Sequence, residues 1–216
     1  SYSPGLVSTP DSSNSPVPLQ ELWDFRQKST SGATIIDSFS KHKILPGAIA
    51  AEKLKASGDP KPYSDPLLRQ PRKYASFLKE LHSGSMIEYS LSNDCIEYVE
   101  MFFVLKKDGR LRLIVDARRS NCHFADPNPV SLCTGDALGR IELEPGETLH
   151  ISMADLKDAF YHFSLPLSWR KYFGLRPIRA GLLGITHLHG KPVSETTMIY
   201  PRLAVIPMGW TWALWW

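Results

Sequence analysis

Glu97-Tyr-Val-Glu-Met-Phe-Phe-Val-Leu-Lys-Lys-Asp-Gly-Arg-Leu-Arg-Leu-Ile-Val115 is the stretch that decides how this chain folds. Glu97 to Leu105 is rich in β-branched and aromatic residues at a period of two. Leu111 to Val115 alternates in the same way, and Lys106-Lys-Asp-Gly-Arg110 between them carries the Asp-Gly turn signal. The pattern is that of a β-hairpin with a basic tip. Arg110 and Arg112, two residues apart, lean to the same side of it. From Met101 to Ser120 six basic side chains (Lys106, Lys107, Arg110, Arg112, Arg118, Arg119) stand against two acidic ones (Asp108, Asp116). Such an excess either grips phosphates, with Arg110 and Arg112 acting beside Lys106 or Lys107, or simply solvates a turn.

Towards the N-terminus the period changes to that of a helix. Tyr74, Phe77, Leu78 and Leu81 recur at i, i+3, i+4 and i+7, which makes a core-facing stripe, and Gly84 stands where a C-cap is expected. Ala48 to Lys55 predicts a shorter helix stopped by Gly58, and Leu19, Leu22 and Trp23 share a helical face. Residues 1–18 hold six Ser, four Pro and one Gly, a composition that predicts a disordered leader. The expected organisation is a leader over 1–18, a helical region over 19–84 and an α+β unit over 85–216.

Towards the C-terminus, Leu149-His-Ile-Ser-Met-Ala154 alternates as a third strand, with Leu149, Ile151 and Met153 on one face and Asp155 at its exit. Asp155 there suits Mg²⁺, which takes hard oxygen ligands. The same Asp-x-x-Asp spacing suits a capping box, with Asp155 as N-cap and Asp158 at the third helical position, and the two readings are compatible. Tyr172 to Ile178 is a further candidate strand, 179–200 a loop or weak hairpin, and Tyr200 to Pro207 a last strand. In Ile206-Pro-Met-Gly-Trp210 the glycine permits a sharp turn or a close backbone approach. His162, His187 and His189 lack carboxylate partners and read as surface or packing residues. No Gly-x-Ser-x-Gly, Walker loop or His-Glu-x-x-His pattern occurs, so hydrolase and P-loop chemistry have no anchor.

The whole chain has 216 residues, 43% hydrophobic and 22% charged, with a net charge of +3, which excludes wholesale disorder, a collagen-like chain and a disulfide scaffold. Cys95, Cys122 and Cys133 are an odd set with no C-x-x-C spacing, which points to a reducing, intracellular compartment. No apolar run approaches the roughly 18 residues needed to span a bilayer. The sequence begins at Ser1, and four of its six tryptophans fall in Trp210 to Trp216. It reads as a fragment, its last residues an apolar stump of core side chains without their partners.

Taken in order, these pieces resemble the reverse transcriptases of retroelements and retroviruses. The resemblance rests on Phe102 to Arg118 with Asn121 following, on Met153-Ala-Asp-Leu-Lys-Asp-Ala-Phe-Tyr161, and on Ile206-Pro-Met-Gly-Trp210 with Ala213. Tyr74 to Ile87 is also similar to the segment preceding the fingers. The resemblance implies an α+β right-hand polymerase: a fingers hairpin and a partial palm, an antiparallel sheet with packed helices, after a helical N-terminal region. It implies RNA-directed DNA polymerisation on an RNA or DNA template with primer, using deoxynucleoside triphosphates, two Mg²⁺ ions and no membrane. Asp155 matches the first metal-binding aspartate. Arg112 and Lys106 or Lys107, beside Arg110, would neutralise the triphosphate, with backbone N–H groups of Asp158 and Ala159 close by. Phe160 would pack under the sugar and exclude a 2′-hydroxyl, and Met208 and Gly209 would border the nucleotide.

Two departures accompany the match. Met208 stands where many members carry glutamine, and the family's adjacent aspartates are not among these residues. After Asp158 the sequence has no Asp and one Glu, Glu195. The expectation is a chain inactive by itself, with a non-catalytic nucleic-acid-binding remnant as the alternative.

Overall fold

The computed structural model describes residues 15–21, 35–130, 132 and 134–216. Most of the expected leader, the Leu22 and Trp23 of the first helical face, and Cys133 lie outside them. Where description begins, Val17–Pro18 (β1) pairs in parallel with Phe163–Ser164, and Leu19 behind it is buried. Two helices follow, Ile35–Lys43 (α1) and Gly47–Ala56 (α2), the second matching the helix expected from Ala48 to Lys55. Lys53 on α2 donates to the Phe124 carbonyl at 3.0 Å and to Asp126 at 2.7 Å, which fixes α2 to the chain beyond the hairpin.

Pro71–Ser83 (α3) buries Tyr74, Ala75, Phe77, Leu78 and Leu81, the stripe its periodicity predicts. Its exit differs in one detail. Gly84 is the C-cap but keeps an ordinary φ of −84°, and Ser85 adopts the left-handed φ of +56°. The Ser85 N–H donates to the His82 carbonyl at 3.0 Å and the Met86 N–H to the Leu81 carbonyl at 2.9 Å. That pair of bonds closes the helix end and needs the left-handed residue one place after the cap.

The chain then enters Ile87–Ser90 (β2), Glu100–Leu105 (β3) and Leu111–Asp116 (β4). β3 and β4 form the expected hairpin, in antiparallel register from Glu100 opposite Asp116 to Leu105 opposite Leu111. Two short helices, Arg118–Asn121 (α4) and Gly135–Gly139 (α5), precede a long exposed excursion. Beyond it come Phe163–Ser164 (β5), Leu167–Arg170 (α6), Ile178–Arg179 (β6), Ala180–Leu183 (α7), His187–Leu188 (β7), Lys191–Pro192 (β8) and Met198–Leu203 (β9). An antiparallel sheet runs in the order β2, β9, β6, and β7 with β8 makes the small hairpin inside 179–200. The fold is thus mixed α+β with several small, mostly antiparallel sheets.

Three strand expectations need correction. Leu149 to Ala154 is not a strand. Leu149, Ile151 and Met153 are exposed, Met153 by 93%, and the segment pairs with no strand among the described residues. Alternation marks a face that would be apolar if paired, and without a partner the backbone groups gain nothing from extending together. Tyr172 to Ile178 contributes only single bridges at Gly174 and the start of β6, because the turns around α6 interrupt it. The last strand begins at Met198 and ends at Leu203, two residues earlier than the pattern suggests and short of Pro207.

The tryptophans at the end are not a stump. Trp210 and Trp212 are buried, and Phe39 of α1 sits among Trp169, Trp210, Trp212 and Trp216 with ring centroids 4.4 to 6.0 Å away. Their partners come from α1 and α6 and from Phe124 and Phe173, far earlier in the chain. Among the described residues no helix is long and apolar enough to cross a membrane.

Candidate functional site

The hairpin turn is locked by its own backbone. The Lys106 N–H donates to the Arg110 carbonyl at 2.7 Å, the Gly109 N–H returns to the Lys106 carbonyl at 3.1 Å, and Gly109 takes φ +81°. β4 then alternates, so Leu111, Leu113 and Val115 enter the core and Arg112 points outward. Arg110 and Arg112 do not act as an equal pair. Arg110 donates twice to one Asp108 oxygen, from Nε at 2.9 Å and from Nη2 at 2.6 Å, and hydrogen bonds from Arg110 hold the Asp108 carboxyl below the usual range. Arg112 makes no ion pair among the described residues.

The Pro-Met-Gly turn is clamped beneath β4. The Val115 N–H donates to the Met208 carbonyl at 3.0 Å. Gly209 has φ +133°, and a Cβ there would fall 2.1 Å from the Val115 carbonyl oxygen, so only glycine fits. Asn121 completes the clamp, donating from Nδ2 to the Gly209 carbonyl at 3.0 Å and accepting from the Thr211 N–H at 3.1 Å.

The third wall is Asp155 to Tyr161. Its anchor is Tyr161, whose hydroxyl donates to the Leu113 carbonyl of β4 at 3.0 Å and whose burial pushes the phenol well above its usual range. Asp158 takes a left-handed φ of +54° immediately before a 3₁₀ turn, Ala159–His162, and its carboxylate faces Lys106 at 3.7 Å. A non-glycine residue held in that conformation stores strain that its surroundings must enforce, and aspartate tolerates it better than most. The capping-box reading is therefore corrected. Asp155 lies in exposed chain with no helix after it, and Asp158 offers no side-chain cap, because the segment turns only once and as 3₁₀.

These walls enclose a cavity of about 310 Å³. Of the residues expected from sequence, Lys106, Arg110, Arg112, Asp155, Asp158, Ala159, Phe160 and Met208 all line it. Lys107 does not; it lines a neighbouring opening with Val104, Leu105 and Asp108, which Lys106 and Arg112 border as well. Gly209, also expected to border the nucleotide, is not in the lining; it lies against the Val115 carbonyl, next to Met208, which is. Leu113, Leu156, Lys157 and Tyr161 line it as well and escaped sequence reasoning. The buried Tyr161, one residue past the Asp-x-x-Asp-Ala-Phe run, was the available signal.

The acidic donors test whether Mg²⁺ fits. Asp155 and Asp158 are the carboxylates of the lining, and Asp158 already faces Lys106. Among the described residues no group of three His, Cys, Asp or Glu side chains is close enough to hold a metal ion. One Mg²⁺ held by Asp155 and substrate phosphates matches that ion's habits. A two-ion centre, which needs several converging carboxylates, does not fit these residues.

Behind the hairpin lies a buried charge cluster that also escaped sequence reasoning. Glu97 accepts from Arg119 Nε at 2.9 Å and the Tyr98 N–H at 3.1 Å, lies 3.4 Å from His123 Nε2, and Arg119 reaches on to Asp59. Burial pushes the Glu97 carboxyl up, but the hydrogen bonds from His123, Arg119 and Tyr98 outweigh it and hold the carboxyl down at about 2. A depressed carboxyl stabilises the fold fully above its unfolded pKa, and that contribution is lost as pH falls through the folded value. Denaturation midpoints should therefore drop between pH values of about 4.5 and about 2. Glu97→Gln should reduce that slope and leave the parts due to Asp116, which against its burial is held low by Arg118 and the backbone, and to Asp108, held low by Arg110. An unchanged acid profile in Glu97→Gln would show that the cluster does not carry the effect.

No family model matches this chain, and no curated protein matches it.

Proposed function

We propose that this chain is the fingers and part of the palm of an RNA-directed DNA polymerase, and that the hairpin cavity receives the triphosphate of a deoxynucleotide. The observation that carries this proposal is the convergence of Lys106 and Arg112 on the same cavity as Asp155, Asp158, Phe160 and Met208. These residues come from three separate segments, and each had been singled out by its own motif. Arg112, without a carboxylate partner among the described residues, supplies the fork that suits phosphate oxygens. Lys106 exchanges its contact with Asp158 for one with phosphate. Phe160 is half-buried at the same wall, where a ring under the sugar would disfavour ribonucleotides. When Mg²⁺ accompanies the triphosphate, Asp155 is the residue to hold it, and the ion neutralises charge there.

Binding and chemistry separate in this chain, because a two-ion centre does not fit its carboxylates. A labelled deoxynucleoside triphosphate should bind, and Arg112→Ala should weaken binding by roughly 10- to 100-fold, the loss of one charge-assisted hydrogen bond or a pair of them. Lys107→Ala should change it by less than about twofold, as for an exposed charge away from the ligand. Equal affinity of Arg112→Ala and the unaltered chain would sink the proposal. The shortage of carboxylates favours a second reading, a nucleotide or nucleic-acid binder without catalysis. Primer extension on an RNA template should give no synthesis from these 216 residues under either reading, and robust synthesis would overturn the claim that their carboxylates do not suffice.

A further inference from the structure

We infer that a second, separate groove, between the start of α3 and the corner where β6 meets α7, binds the phosphodiester backbone of a single-stranded nucleic acid. This site goes beyond the polymerase proposal and stands without it, since its lining shares no residue with the hairpin cavity.

The groove is a cavity of about 530 Å³ whose lining includes Arg69, Arg176 and Arg179 and contains no Asp or Glu. Arg69 and Arg179 are exposed and make no ion pair among the described residues. Arg176 is held in place: its guanidinium stacks over Tyr74 at 4.4 Å from the ring centroid and donates to the Leu68 carbonyl, while the Tyr74 hydroxyl donates to the Arg176 carbonyl at 2.9 Å. The electropositive start of α3 opens on the same space. Pro71 lines it, the first turn has no acidic residue, and Gln70 provides no side-chain cap. Glu100 of β3, a carboxylate that acts on Tyr74, is outside the lining.

Three guanidinium groups beside a helix N-terminus repel one another unless an anion joins them. The choice of arginine matters, because its planar fork meets phosphate oxygens in pairs and its face stacks on bases, which a lysine cannot do. Leu182 and Met198, each 38% exposed, and Ile178 supply an apolar floor for a sugar or base. A cavity of this size takes a nucleotide unit. An acidic peptide would use the charge and leave the stacked guanidinium and the floor idle, so a polynucleotide is the better occupant.

The test is fluorescence anisotropy of a labelled oligothymidylate with the full chain. Affinity should fall with salt, with a log–log slope of about −2 for three neutralised phosphates on a single strand. The double variant Arg69→Glu, Arg179→Glu changes two exposed side chains and should lose at least tenfold in affinity and most of the slope, with an unchanged circular dichroism spectrum. Arg112→Ala should leave oligothymidylate binding within twofold while it weakens triphosphate binding. If the double variant binds the oligonucleotide like the unaltered chain, the groove is not the site. If polyglutamate or inorganic phosphate displaces the oligonucleotide at matched charge concentration, the groove reads charge alone and the proposal falls. If triphosphate binding is absent altogether but the double variant still loses oligonucleotide binding, the polymerase proposal fails and this one holds.

Discussion

Gly209→Ala should destabilise the fold by about 4 kcal/mol and abolish triphosphate binding at temperatures where the variant is still folded. The size follows from two costs that cannot be relieved separately. At φ +133° an alanine is strained wherever its Cβ points, and here it points at the Val115 carbonyl oxygen, 2.1 Å away. Backing off from that contact lifts Met208 from β4, which breaks the bond from the Val115 N–H and the two bonds to Asn121. The floor of the cavity moves with Met208, so binding suffers along with stability. For a chain of this length, 4 kcal/mol lowers the thermal midpoint by roughly 10 °C. Asn121→Ala removes the two Asn121 bonds without a clash and should cost about 1–2 kcal/mol. A thermal midpoint for Gly209→Ala within a degree or two of the unaltered chain would show that the turn does not need to dock on β4.

That turn also marks where the sequence was legible and where it was not. The hairpin and α3 could be read because their signals are local: Asp108-Gly109 sets the turn, and Tyr74, Phe77, Leu78 and Leu81 need only the helix itself to share a face. Lys106 could not be told from Lys107 by pattern, since which lysine faces Asp158 depends on the twist of a five-residue turn. Leu149 to Ala154 misled for the opposite reason. Its alternation is genuine, but a strand exists only where the segment pairs with another, and that is a property of the rest of the molecule. Ser85, rather than the neighbouring glycine, took the left-handed position because Met86 must reach the Leu81 carbonyl. Arg69, Arg176 and Arg179 are spread over two distant segments, and nothing in their spacing announces that they meet.

Trp212→Ala should cost about 3–5 kcal/mol, because it removes the largest kind of side chain from a site that cannot collapse around the void. Trp212 is 1% exposed, meets Phe39 edge-on at a centroid distance of 4.8 Å, and donates from Nε1 to the Ala125 carbonyl at 2.7 Å. The indole therefore joins the end of the chain to α1 and to the segment after α4 at once. Its truncation also strands the Ala125 carbonyl, which adds to the cavity cost. Trp212→Phe separates the two contributions, since it keeps most of the ring volume and loses only the hydrogen bond, and it should cost about 1–2 kcal/mol. Trp215 is only half-buried and touches Trp212 from the outside, so Trp215→Ala should cost less than either, about 1 kcal/mol. Urea titrations of the three variants give the order directly. If Trp215→Ala proved as costly as Trp212→Ala, the aromatic end would be packed as one undivided cluster, not hung from a single buried indole.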